Sequence, residues 1–312
     1  MAKENRGGDQ KAFQFASRKE AIQNFIKKLK PLETHHCREE NMKNSLFYAL
    51  FLPYIWINGV QLKDVGQMTA PPWDILIFTQ SWPATVCKEW KEHDNTHTCN
   101  MPINQGSWTI HGIWPTKIGT MGPFFCNRTW LFDPEEVRPI EKTLEQLWTN
   151  VESGTSTYAL WAHEWNKHGT CAAILEPLNS QIKYFGMGLN WVRKFMMHDI
   201  LMKASIIPSD DHEYSVLDIH NAIKDSLGVN PVIECRNEHG KSYIGEIRIC
   251  FSTTLELENC DGILGLESTT IGRESVLTNC KTTQGVIYLP YPSNKLYVQL
   301  YKLVMWLQWL TF

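Results

Sequence analysis

The stretch "WAHEWNKHGTC", residues 161–171, packs two histidines, a glutamate, a lysine and a cysteine into eleven positions. Three readings compete for it: a zinc site, a solvated helix face, or an acid–base centre. A zinc-binding helix of the H-E-x-x-H kind needs its histidines four apart on one face. Here His163 and His168 are five apart. Five α-helical steps turn by about 500°, which points the two rings about 140° apart and argues against a shared metal. No metal or other cofactor is therefore expected. Glu164, Lys167 and His168 stand at i, i+3 and i+4 and share a face, and His163 and Lys167 are also four apart. Lys167 and His163 are suited to holding a phosphate, with Glu164 orienting the pair. His168 is suited to exchanging protons near neutral pH. Taken alone, such a pattern more often marks a salt-bridged helix face in water.

A second segment changes that balance. "TIHGIWP", residues 109–115, puts His111 on a β-prone stretch before Gly112, Trp114 and Pro115. Cleaving a ribose phosphodiester takes one group to remove a proton from the 2′-OH and another to protonate the departing 5′-oxygen. A cation must balance the charge growing on the phosphoryl oxygens. The nucleophile is already part of the substrate and close to phosphorus, so no metal is needed. His111 supplies the second acid–base group.

Around these two segments the chain alternates elements without a βαβ rhythm. Residues 73–82 and 107–114 read as strands, as do 243–251 and 285–289. Residues 134–150 read as a helix opened by Asp133 and Pro134, and 156–168 as another, closed near Gly169. Residues 183–203 and 215–227 complete the helices. The fold class is α+β.

The charge balance excludes a tight, basic nucleic-acid binder. Residues 1–41 carry nine Lys/Arg against six Asp/Glu, but residues 60–312 carry 20 against 27. A polyanion must therefore be bound locally, or at a pH where histidines are charged. Residues 42–59, "MKNSLFYALFLPYIWING", have the layout of a signal peptide starting at Met42, and the run is too short for a confident membrane span. On that reading residues 1–41 are an upstream extension absent from the mature protein, or a variant that blocks secretion. Residues 60–294 are the catalytic domain. The apolar tail 295–312 is a packed terminal helix, a membrane-surface segment or the removable tail of a lipid-anchor signal, and simple packing is favoured. Of nine cysteines, Cys37 alone lies upstream, which leaves eight, an even number suited to an oxidising compartment. Their pairing is open among 105 arrangements. Asn127 heads the one N-x-[ST] sequon.

"WTIHGIWP" and "HEWNKHGTC", in this order and about 50 residues apart, resemble the two active-site segments of the ribonuclease T2 family of acidic, secreted or lysosomal endoribonucleases. "FTQSWPATVC" (78–87), "FFCNRTW" (124–130), "LNSQIKYF" (178–185) and "IGEIRICF" (244–251) extend the resemblance over roughly 70–290. It implies a mainly antiparallel central sheet flanked by helices and stapled by disulfides. It implies His111 as general acid, His168 as general base, and Glu164 and Lys167 as stabilisers of the pentacovalent transition state. His163 would help to hold phosphate. Trp114 would stack a base, and Gln80 would serve a neighbouring base subsite. The implied disulfides are 87–99, 126–171, 235–280 and 250–260. The implied reaction is metal-independent transphosphorylation of single-stranded RNA to a 2′,3′-cyclic phosphate, then hydrolysis to a 3′-phosphate, with low base specificity and an acidic optimum. DNA, lacking the 2′-OH, would not be cut. The expected protein is a secreted or lysosomal monomer. Two departures bear on base preference: Thr116 replaces an aspartate common in the family, and Ser81 replaces a histidine. The alternative class is a secreted binding or signalling protein that keeps the fold without relying on cleavage. The five filled catalytic positions argue against it.

Overall fold

The computed structural model describes residues 70–291, apart from 105, 264–266 and 272, together with Leu303, Val304 and Trp306. The expected extension 1–41, the signal-like run 42–59 and most of the tail 295–312 lie outside these residues. No described helix is long and apolar enough to cross a membrane.

The segment read as a buried strand forms β1 (Ile75–Ser81), and all seven residues are buried. It is followed by α1 (Pro83–His93), which the sequence reading missed, and by β2 (Thr109–Thr116). Three strands further on complete the frame: β3 (Glu213–Tyr214), β4 (Val232–Glu238) and β5 (Lys241–Ser252). Short β6 (Leu257–Glu258), then β7 (Glu267–Ile271), β8 (Glu274–Thr278) and β9 (Val286–Ile287) follow. The main strand order is β2-β1-β5-β4-β8-β7. Neighbours are antiparallel except β4 with β8, and β9 is also parallel to β5.

Alternation along these strands sorts the sheet into two faces. Leu76, Phe78, Ile110, Ile113, Ile247, Ile249 and Phe251 point into the large core beneath the helices. Ile75, Ile77, Val232 and Cys250 belong to a smaller cluster on the other face, against which Trp114 packs. The polar neighbours of that second face in the cross-strand register are Ser81, Glu246, Arg248 and Glu234.

The helices differ from the sequence reading at their breaks. Residues 134–150 are not one helix but α2 (Pro134–Val137), a 3₁₀ turn (Arg138–Ile140) and α3 (Glu141–Leu147). Pro139 lies inside this span, lacks an N–H and clashes with the preceding turn, so the α-helix breaks there. The start is as read: Asp133 caps it by accepting a hydrogen bond from the Glu135 N–H. The helix expected over 156–168 starts as α4 (Ala159–Glu164), passes through a π-helical turn (Trp165–Gly169) and ends as α5 (Thr170–Ala172). Gly169 is thus inside it rather than at its end. Residues 183–203 split into α6 (Gln181–Lys194) and α7 (Met197–Lys203), because Phe195 leaves helical geometry at φ −120° and ψ 60°. α8 (Val216–Leu227) is capped by Ser215 and stopped by Gly228 in the left-handed region.

Candidate active site

His111 reaches the site because β2 is irregular. Thr79 pairs with Gly112 and Gln80 with Ile110, so His111 is the extra residue between two ladder pairs. Such a bulge re-aims a side chain. It brings His111 to the face that carries Trp114, although the two are three apart in sequence and strict alternation would separate them. Gly112 lets the helix approach. A Cβ there would lie 2.0 Å from Glu164 Oε2 and 2.3 Å from Trp114 Nε1.

The helix side is built by the π turn, which overturns one expectation. His163 and His168 do not diverge. The ligand atoms of His163, Glu164 and His168 all lie within 4.8 Å of one another. A π turn closes i→i+5 hydrogen bonds and adds a residue to the circuit, so positions five apart come round to one side. The α-helical rotation used against a shared metal does not apply to this segment. Gly169 makes the turn possible, since a Cβ would stand 2.3 Å from the Trp165 ring. Trp165 and Trp161 are buried and anchor the helix, with their Nε1–H groups donating to the carbonyls of Trp130 and Trp148.

Between the two sides the groups are closely meshed. Glu164 is buried and accepts a 2.8 Å hydrogen bond from the Trp114 Nε1–H through Oε2, while Oε1 stands 3.7 Å from His111 Nε2. The other His111 nitrogen, Nδ1, is 2.6 Å from Glu246 Oε1. The sequence reading did not single out Glu246, although it lies within the quoted "IGEIRICF" segment. The Arg248 NH2 group donates to Glu246 Oε2 at 2.8 Å and also pairs with Glu234. Lys167 stands over the Phe124 ring at 5.0 Å, and its carbonyl accepts from the Phe125 N–H at 2.8 Å.

Burial and charge push these groups apart in protonation. His168 is buried, with no protein partner for Nδ1. Burial, then the Lys167 and His163 charges, hold its pKa well below the ordinary histidine range. Burial also lowers that of His163, helped by Lys167. His111 goes the other way: burial opposes its charge, but the Glu246 carboxylate and then Glu164 outweigh it and raise its pKa. Burial lifts Glu164 to about 7 against the pull of His111. One histidine thus favours the neutral form and the other the charged form, side by side.

Two cavities flank these groups. One, about 350 Å³, is lined by Trp114, Thr116, Phe124 and Arg248 together with His111, His163, Glu164, Lys167 and His168. The other, about 490 Å³, shares His111 and His163 and runs over Ser81, Asn150, Glu152, Leu160 and Arg236. Gln80 lines neither. This corrects the expectation for that residue: alternation turns it to the core face, where it is buried and its amide donates to the Phe195 carbonyl at 2.9 Å. Its neighbour Ser81 faces the second cavity instead. Trp114 is half-buried in the first, with the Arg248 guanidinium 5.0 Å from its ring centre.

Four disulfides brace the frame: Cys87–Cys99, Cys126–Cys171, Cys235–Cys280 and Cys250–Cys260. The second ties the 117–131 loop to α5. Asn127 is exposed on that loop, and its Oδ1 accepts hydrogen bonds from Thr129.

Similarity to known proteins extends over most of the described chain. The family model described as the Ribonuclease T2 family matches residues 73–260. Ribonuclease Oy of Magallana gigas is 34% identical over 226 residues, covering 71% of this chain and 99% of its own. Ribonuclease T2 of Homo sapiens is 37% identical over 230 residues, covering 72% and 83% respectively. Among solved structures, human RNase T2 superposes with a TM-score of 0.55 at 34% identity, over 70% of this chain and 99% of that one. RNase NT in complex with 5′-AMP does so with a TM-score of 0.56 at 27% identity, over 70% and 99%.

Proposed function

Since the chain belongs to the ribonuclease T2 family, we propose that it is an endoribonuclease that cuts single-stranded RNA by transphosphorylation through the pair His111 and His168. The observation that carries this reading is that two histidines, a lysine and a glutamate line one cavity, where burial and neighbouring charge bias the histidines to opposite protonation states. His168, neutral, removes the proton of the 2′-OH. The 2′-oxygen attacks phosphorus, and the bond from phosphorus to the 5′-oxygen breaks. His111, charged, gives its Nε2 proton to the departing oxygen. The products are a 2′,3′-cyclic phosphate and a free 5′-OH, and water later opens the ring to a 3′-phosphate with the roles reversed. Lys167, with His163 when protonated, balances the charge on the non-bridging oxygens. Glu164, neutral below about 7, can donate a hydrogen bond to the same oxygens.

The two cavities suit the nucleotides on either side of the scissile bond. Trp114 and Phe124 offer flat faces in the first, which any base can use, and this fits low base specificity. Thr116 adds no carboxylate acceptor there. The pH window follows from the signs. The general acid works until pH rises through the raised pKa of His111, and the general base works until pH falls through the lowered pKa of His168. Ionisation of Glu164 at about 7 places negative charge against the phosphate, which weights the window to its acidic side. A secreted or lysosomal location, with residues 42–59 as signal peptide and 60–294 as the working domain, fits four disulfides and an acidic optimum. The molecule acts as a monomer, needs no cofactor and leaves DNA intact.

The test is cleavage of RNA near pH 5 by the purified, fully oxidised protein with EDTA present, beside His168→Ala, with products resolved by mass. A cyclic phosphate from the wild type alone is expected. Cleavage abolished by EDTA would instead assign the His163–Glu164–His168 cluster to a metal. No cleavage by the folded wild type would leave the binding-protein class in its place.

A further inference from the structure

Glu246 is the least expected group near the catalytic pair. It is 2% exposed, carries charge and lies on a sheet face. Burying a carboxylate is costly unless it is well paired. Glu246 is paired with more than a structural ion pair needs. Its Oε1 meets His111 Nδ1 at 2.6 Å and also accepts from the Ser81 hydroxyl at 3.3 Å. Its Oε2 is held by Arg248, and the Arg236 guanidinium approaches Oε1 at 4.0 Å. Both arginines are anchored elsewhere, Arg248 on Glu234 and Arg236 on Glu89 and Glu234. The carboxylate therefore sits in a fixed frame, and His111 is the one member of that frame that also lines both cavities.

We propose that Glu246 is the positioning residue for His111, gripping the ring through Nδ1 so that Nε2 faces the scissile phosphate, with Arg248 and Arg236 gripping Glu246 in turn. The inference rests on the role given to His111 above. In the cleavage step the Nε2 proton leaves for the 5′-oxygen as the P–O bond breaks. The Nδ1 proton stays on the ring and on its hydrogen bond to the carboxylate, so Glu246 gains no proton. The contact fixes one tautomer of the neutral ring and favours its charged form before transfer. The other charged or titratable groups around His111 are Arg248 on β5, Arg236 and Glu234 on β4, and His163, Glu164, Lys167 and His168 on the helix. The Arg248 charge opposes that of His111, and Glu164 supports it. The position was invisible in sequence because His111 and Glu246 are 135 residues apart and meet only through the β2-β1-β5 order.

The test compares two substrates. A dinucleoside phosphate needs its leaving oxygen protonated, whereas a uridine 3′-(4-nitrophenyl) phosphate releases a stable phenolate without help. On the dinucleotide, Glu246→Gln is expected to lower kcat by about tenfold to a hundredfold, a part of the roughly 10²–10⁴-fold that general-acid catalysis supplies, with KM nearly unchanged. Its alkaline limb should fall by about one pH unit, as loss of an adjacent opposite charge requires. On the aryl ester the variant should approach the wild type. An equal loss on both substrates, or no loss on either, would overturn the proposal while leaving the enzyme reading intact. A wild type inert on both would overturn the two together. An independent check needs no variant: ¹⁵N spectra of the wild type should show His111 Nδ1 protonated on both sides of the ring's titration. A titrating Nδ1 would refute the grip on Nδ1.

Discussion

Glu164 shows how a single side chain can set a pH limb. Its carboxyl is buried against Trp114 and Gly112, and burial lifts its pKa to about 7. A raised carboxyl pKa means the neutral form persists through the acid range and the charge appears as pH rises through about 7. Facing a phosphate, that charge is repulsive. Glu164→Gln cannot ionise, so the fall in kcat/KM between about pH 6 and pH 8 should be shallower than in the wild type. Steady-state profiles of the two proteins check this, and superimposable profiles would count against a titrating Glu164. At this scale the sequence was largely legible, because His111, His163, Glu164, Lys167 and His168 all line one cavity. Gln80 was misplaced because neither composition nor motif tells which face of β1 a residue takes. Glu246 went unseen because it lies 135 residues from His111 and meets it only through the strand order.

At the scale of elements, the helix with the π turn is the main lesson. Its existence was legible in the sequence, but its pitch and its end were not. An α-helical wheel drives His163 and His168 apart, and one inserted residue per turn brings them together. Pro139 gave a visible sign of the break after α2, whereas nothing local announced the break at Phe195. The π turn is held from both ends, by Trp165 packing within and by the Cys126–Cys171 bridge beyond. Replacing both cysteines of that bridge by serine should cost about 2–5 kcal/mol of stability, the usual value for a native disulfide in a secreted domain. Thermal unfolding measures it. Activity per folded molecule should fall as well, because Phe125 then loses the tether that keeps its N–H on the Lys167 carbonyl. A variant of unchanged melting temperature and unchanged rate would show the bridge to be incidental.

For the whole molecule, the question is how a chain of net charge −3 holds a polyanion. It does so at few points. On the proposed mechanism Lys167, with His163 when protonated, meets the phosphate, while Arg236 and Arg248 are committed to glutamates. With about two phosphate charges neutralised on a single strand, log kcat/KM should fall with log salt at a slope of roughly −1.4. A titration of sodium chloride near pH 5 reads it directly. A slope several times steeper would reveal a basic track that the described residues do not contain. The fold class and the mainly antiparallel sheet were legible from the alternation of elements and the resemblance. The strand order was not, since β5 lies next to β1 only after more than half of the described chain has intervened.

That strand order also governs when the molecule becomes active during its synthesis. β1 is bonded on one side to β2, which follows it closely, and on the other to β5, which follows only after the seven further helices α2 to α8. Contacts of such long separation are slow to form, because the loop between must first be closed. A growing chain that has emerged only as far as α8 owns both histidine segments. It lacks the strand that completes the sheet and the carboxylate that meets His111. On the proposed mechanism, cutting power therefore arrives late, with β5, rather than with the two histidine segments.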